Sequence, residues 1–87
     1  MWEEWKDGQI VLRSARSGYK IGRVFPSRVS PGWTWAVEHV PSGRSLGGHA
    51  PTRKKAQDEV IATIIAEYGP GAEKVLGRQG EHERTPP

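Results

Sequence analysis

Glycine and proline interrupt this chain so often that only one stretch has room for a long helix. Eleven glycines and seven prolines are spread over 87 residues, and residues 52–68 form the longest stretch that contains neither. Thr52 is a favourable N-cap, and Gly69 and Pro70 are residues that commonly end a helix. Apolar residues recur in the stretch at helical spacing, as a stripe made of Ala56, Val60, Ile61, Ile64, Ile65 and Tyr68. We predict a helix here whose apolar stripe packs on a sheet.

The shorter segments between the turns have the pattern of strands. Residues 9–14 contain an apolar run, and after a turn at residues 15–18 the chain returns through residues 19–25 as the second strand of a hairpin. Gly22, inside that second strand, predicts a bulge or a close approach of another element.

The clearest strand is predicted for residues 33–40, where aromatic and apolar residues alternate with small or polar ones. A turn at residues 41–43 leads into a short strand over residues 44–49. At the N-terminus, Trp2 and Trp5 are three residues apart, and we expect them to share one face of a short turn that packs on the core. Within residues 33–40, the alternation places Trp33, Trp35, Val37 and His39 on one face of the strand.

These elements predict an α+β fold, in which a three- to four-stranded antiparallel sheet is packed by one main C-terminal helix in the order βββα. The chain is too short for two hydrophobic cores. We therefore expect a single domain over residues 1–76 and a disordered polar tail over residues 77–87.

The absence of cysteine limits the chemistry of the chain. It excludes disulfides and thiolate zinc sites, and it is typical of a reducing compartment. The N-terminus has no basic region followed by an apolar run, and no apolar stretch is long enough to span a membrane. We expect a cytoplasmic protein without a membrane segment, a cofactor or a metal site.

The positive charge is concentrated in the middle of the chain. The formal net charge is +3, but residues 8–57 carry nine Lys or Arg against the single acid Glu38, while residues 58–87 carry six acids and three bases. This imbalance exceeds what solubility requires, and it points to a polyanionic partner. A solvated surface without a partner is the alternative.

Three of these cations open the predicted helix. With Thr52 as N-cap, the first turn holds Arg53, Lys54 and Lys55, where unpaired backbone N–H groups already form a positive end. Each exposed cation costs about 0.3 to 1 kcal/mol there, so a chain selected only for stability would place acids in this turn. A bound phosphate reverses the effect, because N–H groups, helix dipole and side chains then all face an anion. Side chains that simply extend into water are the alternative.

The segment around this helix start resembles the C-terminal half of double-stranded-RNA-binding domains. Those domains end in a hairpin strand, a turn of small residues and a Ser/Thr-Lys-Lys-x-Ala sequence that opens the last helix. The resemblance implies that Arg53 and Lys54 contact phosphates across a groove, with Lys55 as an added charge. The first helix of that family has no counterpart here, since residues 9–25 have the pattern of strands. The matching positions within residues 33–68 are Gly48, Ala50, Thr52, Arg53, Lys54 and Ala56.

The predicted order of elements is also similar to that of the three-stranded DNA-binding domains of integrase N-terminal regions and of plant ethylene-response factors. Thr52 and Ala56 match the Thr-x-x-x-Ala that often opens their helix. In those families an exposed sheet face that carries Arg and Trp enters the major groove. Glu38 would lie in the middle of that face here, which counts against readout of bases by the sheet.

Trp33 and Trp35 have two interpretations. They could form a stacking platform for bases or an exposed interface patch, or they could be core residues that meet Val60 and Ile64. We favour the core, because the chain has only three Leu, one Phe and one Met to fill it.

We therefore predict a small nucleic-acid-binding protein, and not an enzyme, that contacts double-stranded DNA or RNA through phosphates. His39, His49 and His82 lack the spacing of metal ligands. The alternative is a protein-interaction module or inhibitor that binds a partner protein or forms a homodimer through an exposed Trp patch. The candidate nucleic-acid-binding residues are Arg13, Arg16, Lys20, Arg23, Arg28, Arg44, Thr52, Arg53, Lys54 and Lys55.

Overall fold

The computed structural model describes residues 2–5 and 7–77. Within these ranges the elements are β1 (Trp2–Glu4), β2 (Ile10–Arg13), β3 (Lys20–Pro26), β4 (Trp33–Val37), β5 (Leu46–Ala50), α1 (Arg53–Tyr68), a 3-10 turn (Gly69–Gly71) and α2 (Ala72–Leu76). The strands form an antiparallel sheet in the order β1-β2-β3-β4-β5. The predicted α+β fold with one main C-terminal helix is confirmed, although the sheet has five strands instead of three or four.

The end of α2 bears on the predicted domain boundary. Val75 and Leu76 are buried in the core, so the chain contributes to packing up to that point. Of the predicted tail over residues 77–87, only Gly77 is among the described residues. No helix in the described part of the chain is long and apolar enough to cross a membrane.

The additional strand is β1, which pairs with β2 so that Trp2 lies opposite Leu12. Side chains alternate along a strand, so residues three apart point to opposite faces. Trp2 packs against the core, whereas Trp5 is 37% exposed and its ring centroid lies 5.0 Å from Nζ of Lys20. The expectation that both tryptophans share one face of a turn is wrong, because the segment is extended.

The helix α1 covers one face of the sheet with the apolar stripe predicted from its sequence. Ala56, Val60 and Ile64 are buried, and Ile61 is partly buried against the same core. Ile65 is 50% exposed, so the buried stripe is narrower than predicted. The strand residues in this core include Ile10, Leu12, Val24, Val37 and Ala50.

Gly22 marks a close approach between β3 and α1. A Cβ atom at this position would come within 2.7 Å of Cγ1 of Val60, so glycine allows the helix to pack this closely. The bulge lies beside it, where the register between β2 and β3 shifts and places Lys20 opposite Arg13. Ile21, the residue that the shift leaves without a partner in β2, is buried in the core. Both features predicted from Gly22 are therefore present in this part of the hairpin.

The strand β4 ends at Val37, earlier than predicted. His39 adopts a positive φ of 60°, and its carbonyl accepts a hydrogen bond from the hydroxyl of Tyr68 at 2.8 Å. This turn of the backbone leaves His39 exposed and places Val40 in the core. His39 therefore does not continue the face that carries the tryptophans, as the alternation had predicted, because the backbone has left the strand conformation.

Trp33 and Trp35 belong to the core side of the sheet. Both are half-buried on the face covered by α1, and both pack against the core cluster. The ring of Trp35 lies over Gly48 of β5, where a Cβ atom would come within 2.9 Å of ring atoms. The core interpretation of these tryptophans is confirmed.

Candidate nucleic-acid interface

The first turn of α1 has the predicted cap. Thr52 has extended backbone angles of φ −133° and ψ 159°, and its hydroxyl accepts a hydrogen bond from the backbone N–H of Lys55 at 3.1 Å. This is the contact between an N-cap side chain and the third helical residue, N3. The turn contains no acid, and Arg53, Lys54 and Lys55 are all exposed. Three cations therefore surround backbone N–H groups that have no partner within the helix.

Only one of these three cations has an acidic partner in the described part of the chain. Nζ of Lys54 lies 3.2 Å from Oδ1 of Asp58, one turn further along the helix. Arg53 and Lys55 form no ion pair with any described residue. An exposed ion pair contributes about 0 to 1 kcal/mol, so Lys54 can exchange Asp58 for a phosphate at little cost.

The loop between β3 and β4 lies at the same end of the sheet as the start of α1. A Cβ atom on Gly32 of this loop would come within 2.7 Å of the carbonyl oxygen of Ala50, where β5 ends. The hydroxyl of Ser30 is 3.3 Å from Nε2 of His49. Arg28 is exposed on the same loop, so this end of the sheet carries a further cation.

Other predicted cations lie at the opposite end of the sheet. A strand rises about 3.3 Å per residue, so the two ends of β3 are about 20 Å apart. Arg13, Arg16 and Lys20 lie around the turn between β2 and β3, far from the helix start. Arg44 is also at that end, where Nη2 is 3.1 Å from Oε2 of Glu67 in the last turn of α1. The predicted residues therefore form two groups and not a single patch.

Arg23 lies between the two groups, on the sheet face opposite α1. The strand register places two adjacent rows of residues on this face; in the second row the pairing of β1 with β2 continues one residue beyond the strands, to Trp5 and Gln9. Val11 is fully buried yet lies outside the core cluster, because it belongs to this second face. We call this surface the open face. Its first row is Glu3, Val11, Arg23, Ala36 and Gly47, and its second row is Trp5, Gln9, Phe25, Thr34 and His49. The pair Arg13 and Lys20 lies beside the first row.

Cations and rings are paired on the open face. Nζ of Lys20 is 5.0 Å from the ring centroid of Trp5, and Cζ of Arg23 is 5.5 Å from that of Phe25. Lys20 belongs to this face because the bulge sets it opposite Arg13. Two acids lie on the same face. Glu38 lies 3.8 Å from the guanidinium of Arg23, and Glu3 lies 3.1 Å from Nε of Arg13, so each acid offsets one of the three cations. The open face therefore combines positive charge with aromatic surface.

Sequence reasoning missed Trp5 and Phe25 as members of a surface. A signal for Phe25 was present, since strict alternation over residues 19–25 sets Arg23 and Phe25 on one face and Val24 on the other. Trp5 gave no such signal, because its face depends on the pairing of β1 with β2.

Two carboxylates near the turn between β1 and β2 have lowered pKa values. The pKa of Glu3 is below its ordinary value mainly because Nε1 of Trp5 donates a hydrogen bond to it at 3.3 Å, with Arg13 contributing as well. The pKa of Asp7 is lowered because the backbone N–H of Gln9 donates to it at 3.1 Å and the Gln9 amide at 2.9 Å. Both side chains are therefore charged at neutral pH.

No protein-family model matches this chain, and no curated protein or solved structure matches it either. The resemblances to double-stranded-RNA-binding domains and to integrase N-terminal domains therefore stay predictions.

Proposed function

We propose that this chain binds double-stranded nucleic acid, DNA or RNA, chiefly through backbone phosphates, with residues 52–55 as the anchor. The observation that carries the proposal is the first turn of α1, which holds three exposed cations and no acid. A phosphate at this end would accept hydrogen bonds from the free backbone N–H groups and from the side chains. Without an anion, the three cations in this turn destabilise the helix.

Lys55 is the residue of the first turn that supports the proposal most strongly. It occupies N3, where a Glu would bond back to the backbone N–H of Thr52 and complete a capping box. Half of that box is present, since the hydroxyl of Thr52 accepts from the N–H of Lys55. With Lys at this position the helix is about 0.5 to 1 kcal/mol less stable than it would be with Glu. A phosphate contact supplies a reason for a cation in a place where stability favours an acid.

Further cations can extend the contact along the duplex. Arg28 lies at the same end of the sheet as the anchor, and Arg16 lies at the other end, about 20 Å away. Neither forms an ion pair with a described residue. Arg13 and Arg23 pair with acids that reach solvent, so a phosphate can replace those acids at little cost. Arg44 pairs with Glu67, whose side chain is 15% exposed, so this pair is less easily exchanged.

Fluorescence anisotropy with a blunt duplex of random sequence tests the proposal. We expect the affinity to fall steeply between roughly 50 and 200 mM salt, as it does for proteins that contact several phosphates. Arg53→Glu combined with Lys55→Glu should abolish binding and leave the helix intact by circular dichroism. These two positions are chosen because neither has an ion pair to lose among the described residues.

Lys74→Glu is the control for a change of charge away from the anchor. Lys74 is exposed on α2, and its reversal changes the net charge by as much as Arg53→Glu alone. We expect Lys74→Glu to bind like the parent chain and Arg53→Glu to bind more weakly. Equal affinities of the two single variants, a flat response to salt, or binding by the double variant would contradict the proposal.

The alternative of self-association through an exposed tryptophan patch finds little support in the described residues. Trp2, Trp33 and Trp35 pack against the core, which leaves Trp5 as the exposed tryptophan. Val29 and Ile65 are also exposed, but single apolar residues on a surface are ordinary. Concentration-dependent dimerisation without any response to nucleic acid would favour the alternative.

A further inference from the structure

We infer that the open face binds the unpaired bases of a single-stranded segment, so that the preferred ligand is a duplex with a single-stranded extension. The inference rests on the proposed function, which supplies the duplex contact at the start of α1. Its starting point is a row of three aromatic side chains: Trp5, which directly follows β1, Phe25 of β3 and His49 of β5. Strands lie about 4.8 Å apart, so the backbone positions that carry successive rings are about 10 Å apart, with Gln9 and Thr34 between them.

Rings on an uncovered sheet face suit unpaired bases better than paired ones. Every base has a π face that can stack on an aromatic side chain, whatever its sequence. A base inside a duplex offers only its edges in the grooves. The amide of Gln9 and the hydroxyl of Thr34 can bond to base edges that are free only when the base is unpaired. Single-stranded nucleic acid therefore fits this row, and a blunt duplex does not.

The cations on the open face supply the charge that a strand of phosphates requires. Lys20 and Arg23 lie over the rings of Trp5 and Phe25, at 5.0 and 5.5 Å from the ring centroids. A cation–π contact at an exposed site is weak. A phosphate can therefore draw each cation away from its ring, which leaves the ring free to stack with a base.

A cavity of about 340 Å³ lies at the end of the open face that is closer to the start of α1. Gln9, Arg23 and Phe25 form part of its wall, together with Asp7 and Arg28 from the flanking turns. Its volume is at the small end of ligand pockets, which suits one base with its sugar. Because Arg28 lines the cavity at the same end of the sheet as the anchor, a strand leaving a duplex at α1 can enter here.

Two polar atoms of residues that line this cavity are suited to hydrogen-bond with the edge of a nucleobase. Oε1 of Gln9 and Nε of Arg23 are buried without a hydrogen-bond partner among the described residues. They are an acceptor and a donor on neighbouring strands, and a nucleobase edge offers a donor beside an acceptor. Both atoms are shielded from solvent, so rotation of the Gln9 or Arg23 side chain accompanies binding.

Three labelled ligands separate this inference from the proposed function: a blunt duplex, the same duplex with a short single-stranded extension, and the single strand alone. Binding of the blunt duplex decides the proposed function, and the gain from the extension decides the inference. We expect the extension to raise the affinity about tenfold, as stacking of one or two bases does. Phe25→Leu should remove most of this gain and leave the affinity for the blunt duplex unchanged.

Two other variants show whether the effect belongs to the row of rings. Tyr19 is an aromatic residue outside the row and 67% exposed, so Tyr19→Leu should keep the whole gain. Trp5→Phe keeps a ring in place and should also keep the gain. It should lose most of the quenching of tryptophan fluorescence by the extended ligand, because the other three tryptophans pack against the core.

The inference is overturned by equal affinity for the blunt and extended duplexes. It is also overturned if Phe25→Leu and Tyr19→Leu lose the gain equally, or if Phe25→Leu weakens binding of both ligands to the same extent. Dimerisation through the open face that nucleic acid does not displace would assign that face to a second copy of the chain. Thermal melting of each variant checks that it is folded under the binding conditions.

Discussion

The two faces of the sheet use the same five strands and carry different chemistry. The face under α1 packs apolar residues such as Leu12 and Val24 against Val60 of the helix. The open face holds cations over rings, with Val11 fully buried among them. Packing under a helix requires the first face to be apolar, but it places no demand for rings and cations on the second. Residues of the first face are therefore explained by the stability of the fold, whereas the rings and cations of the open face require a functional explanation.

The same truncation on the two faces should have unequal effects on stability. Val24 and Val11 are both 0% exposed. Val24→Ala leaves a cavity between packed elements that cannot close, whereas the long side chains around Val11 can collapse after Val11→Ala. We expect the free energy of unfolding to fall by about 2 kcal/mol for Val24→Ala and about 1 kcal/mol for Val11→Ala, measured by urea denaturation. Equal losses would mean that the open face is packed as rigidly as the core.

Glu38 offers a way to strengthen the open face as a binding surface. It is the single acid among residues 8–57, and it lies 3.8 Å from the guanidinium of Arg23. Glu38→Gln should free Arg23 and raise the affinity for the extended duplex roughly two- to fivefold, with less than about 1 kcal/mol lost in stability. Anisotropy measures the affinity, and Glu73→Gln on α2 is the control for the loss of one acid. A fall in affinity would contradict a cationic role for Arg23.

Acid should weaken the sheet edge that carries Glu3 and Asp7, and this is the smallest effect we expect. Their pKa values are lowered in the folded chain, so each carboxylate stabilises the fold while it is charged. The contribution is present above the unfolded-state values of about 4 and is lost as the pH falls through the lowered values. Urea midpoints at about pH 6 and about pH 3 should therefore differ more for the parent chain than for Glu3→Gln combined with Asp7→Asn. An equal difference in both proteins would rule out these two groups as the cause.

The covered face could be predicted from the sequence far more fully than the open face. The helix α1 and its cap at Thr52 depend on local signals, namely a stretch free of Gly and Pro and a stripe at helical spacing. The same stripe identifies the helix residues that meet the sheet. Trp33 and Trp35 could be assigned to the core because few other large apolar residues are available.

The open face depends on pairing between segments, which local patterns do not contain. The strand β1 has three residues, and its pairing with β2 decides that Trp5 faces away from the core. The bulge beside Gly22 decides the face of Lys20, and a shift of one residue in register would send it to the other side. The row of rings joins Trp5, Phe25 and His49 from separate strands, so it exists only once the sheet is assembled.

Stability and binding should change in opposite directions in Lys55→Glu, and this measurement tests the central claim most directly. The substitution completes the capping box with Thr52 and places an acid at the positive end of α1, so the free energy of unfolding should rise by about 0.5 to 1 kcal/mol. The affinity for a blunt duplex should fall about tenfold, because a charge-assisted contact to phosphate is lost. A variant that is more stable and binds the duplex as tightly as the parent chain would contradict the anchor at the start of α1.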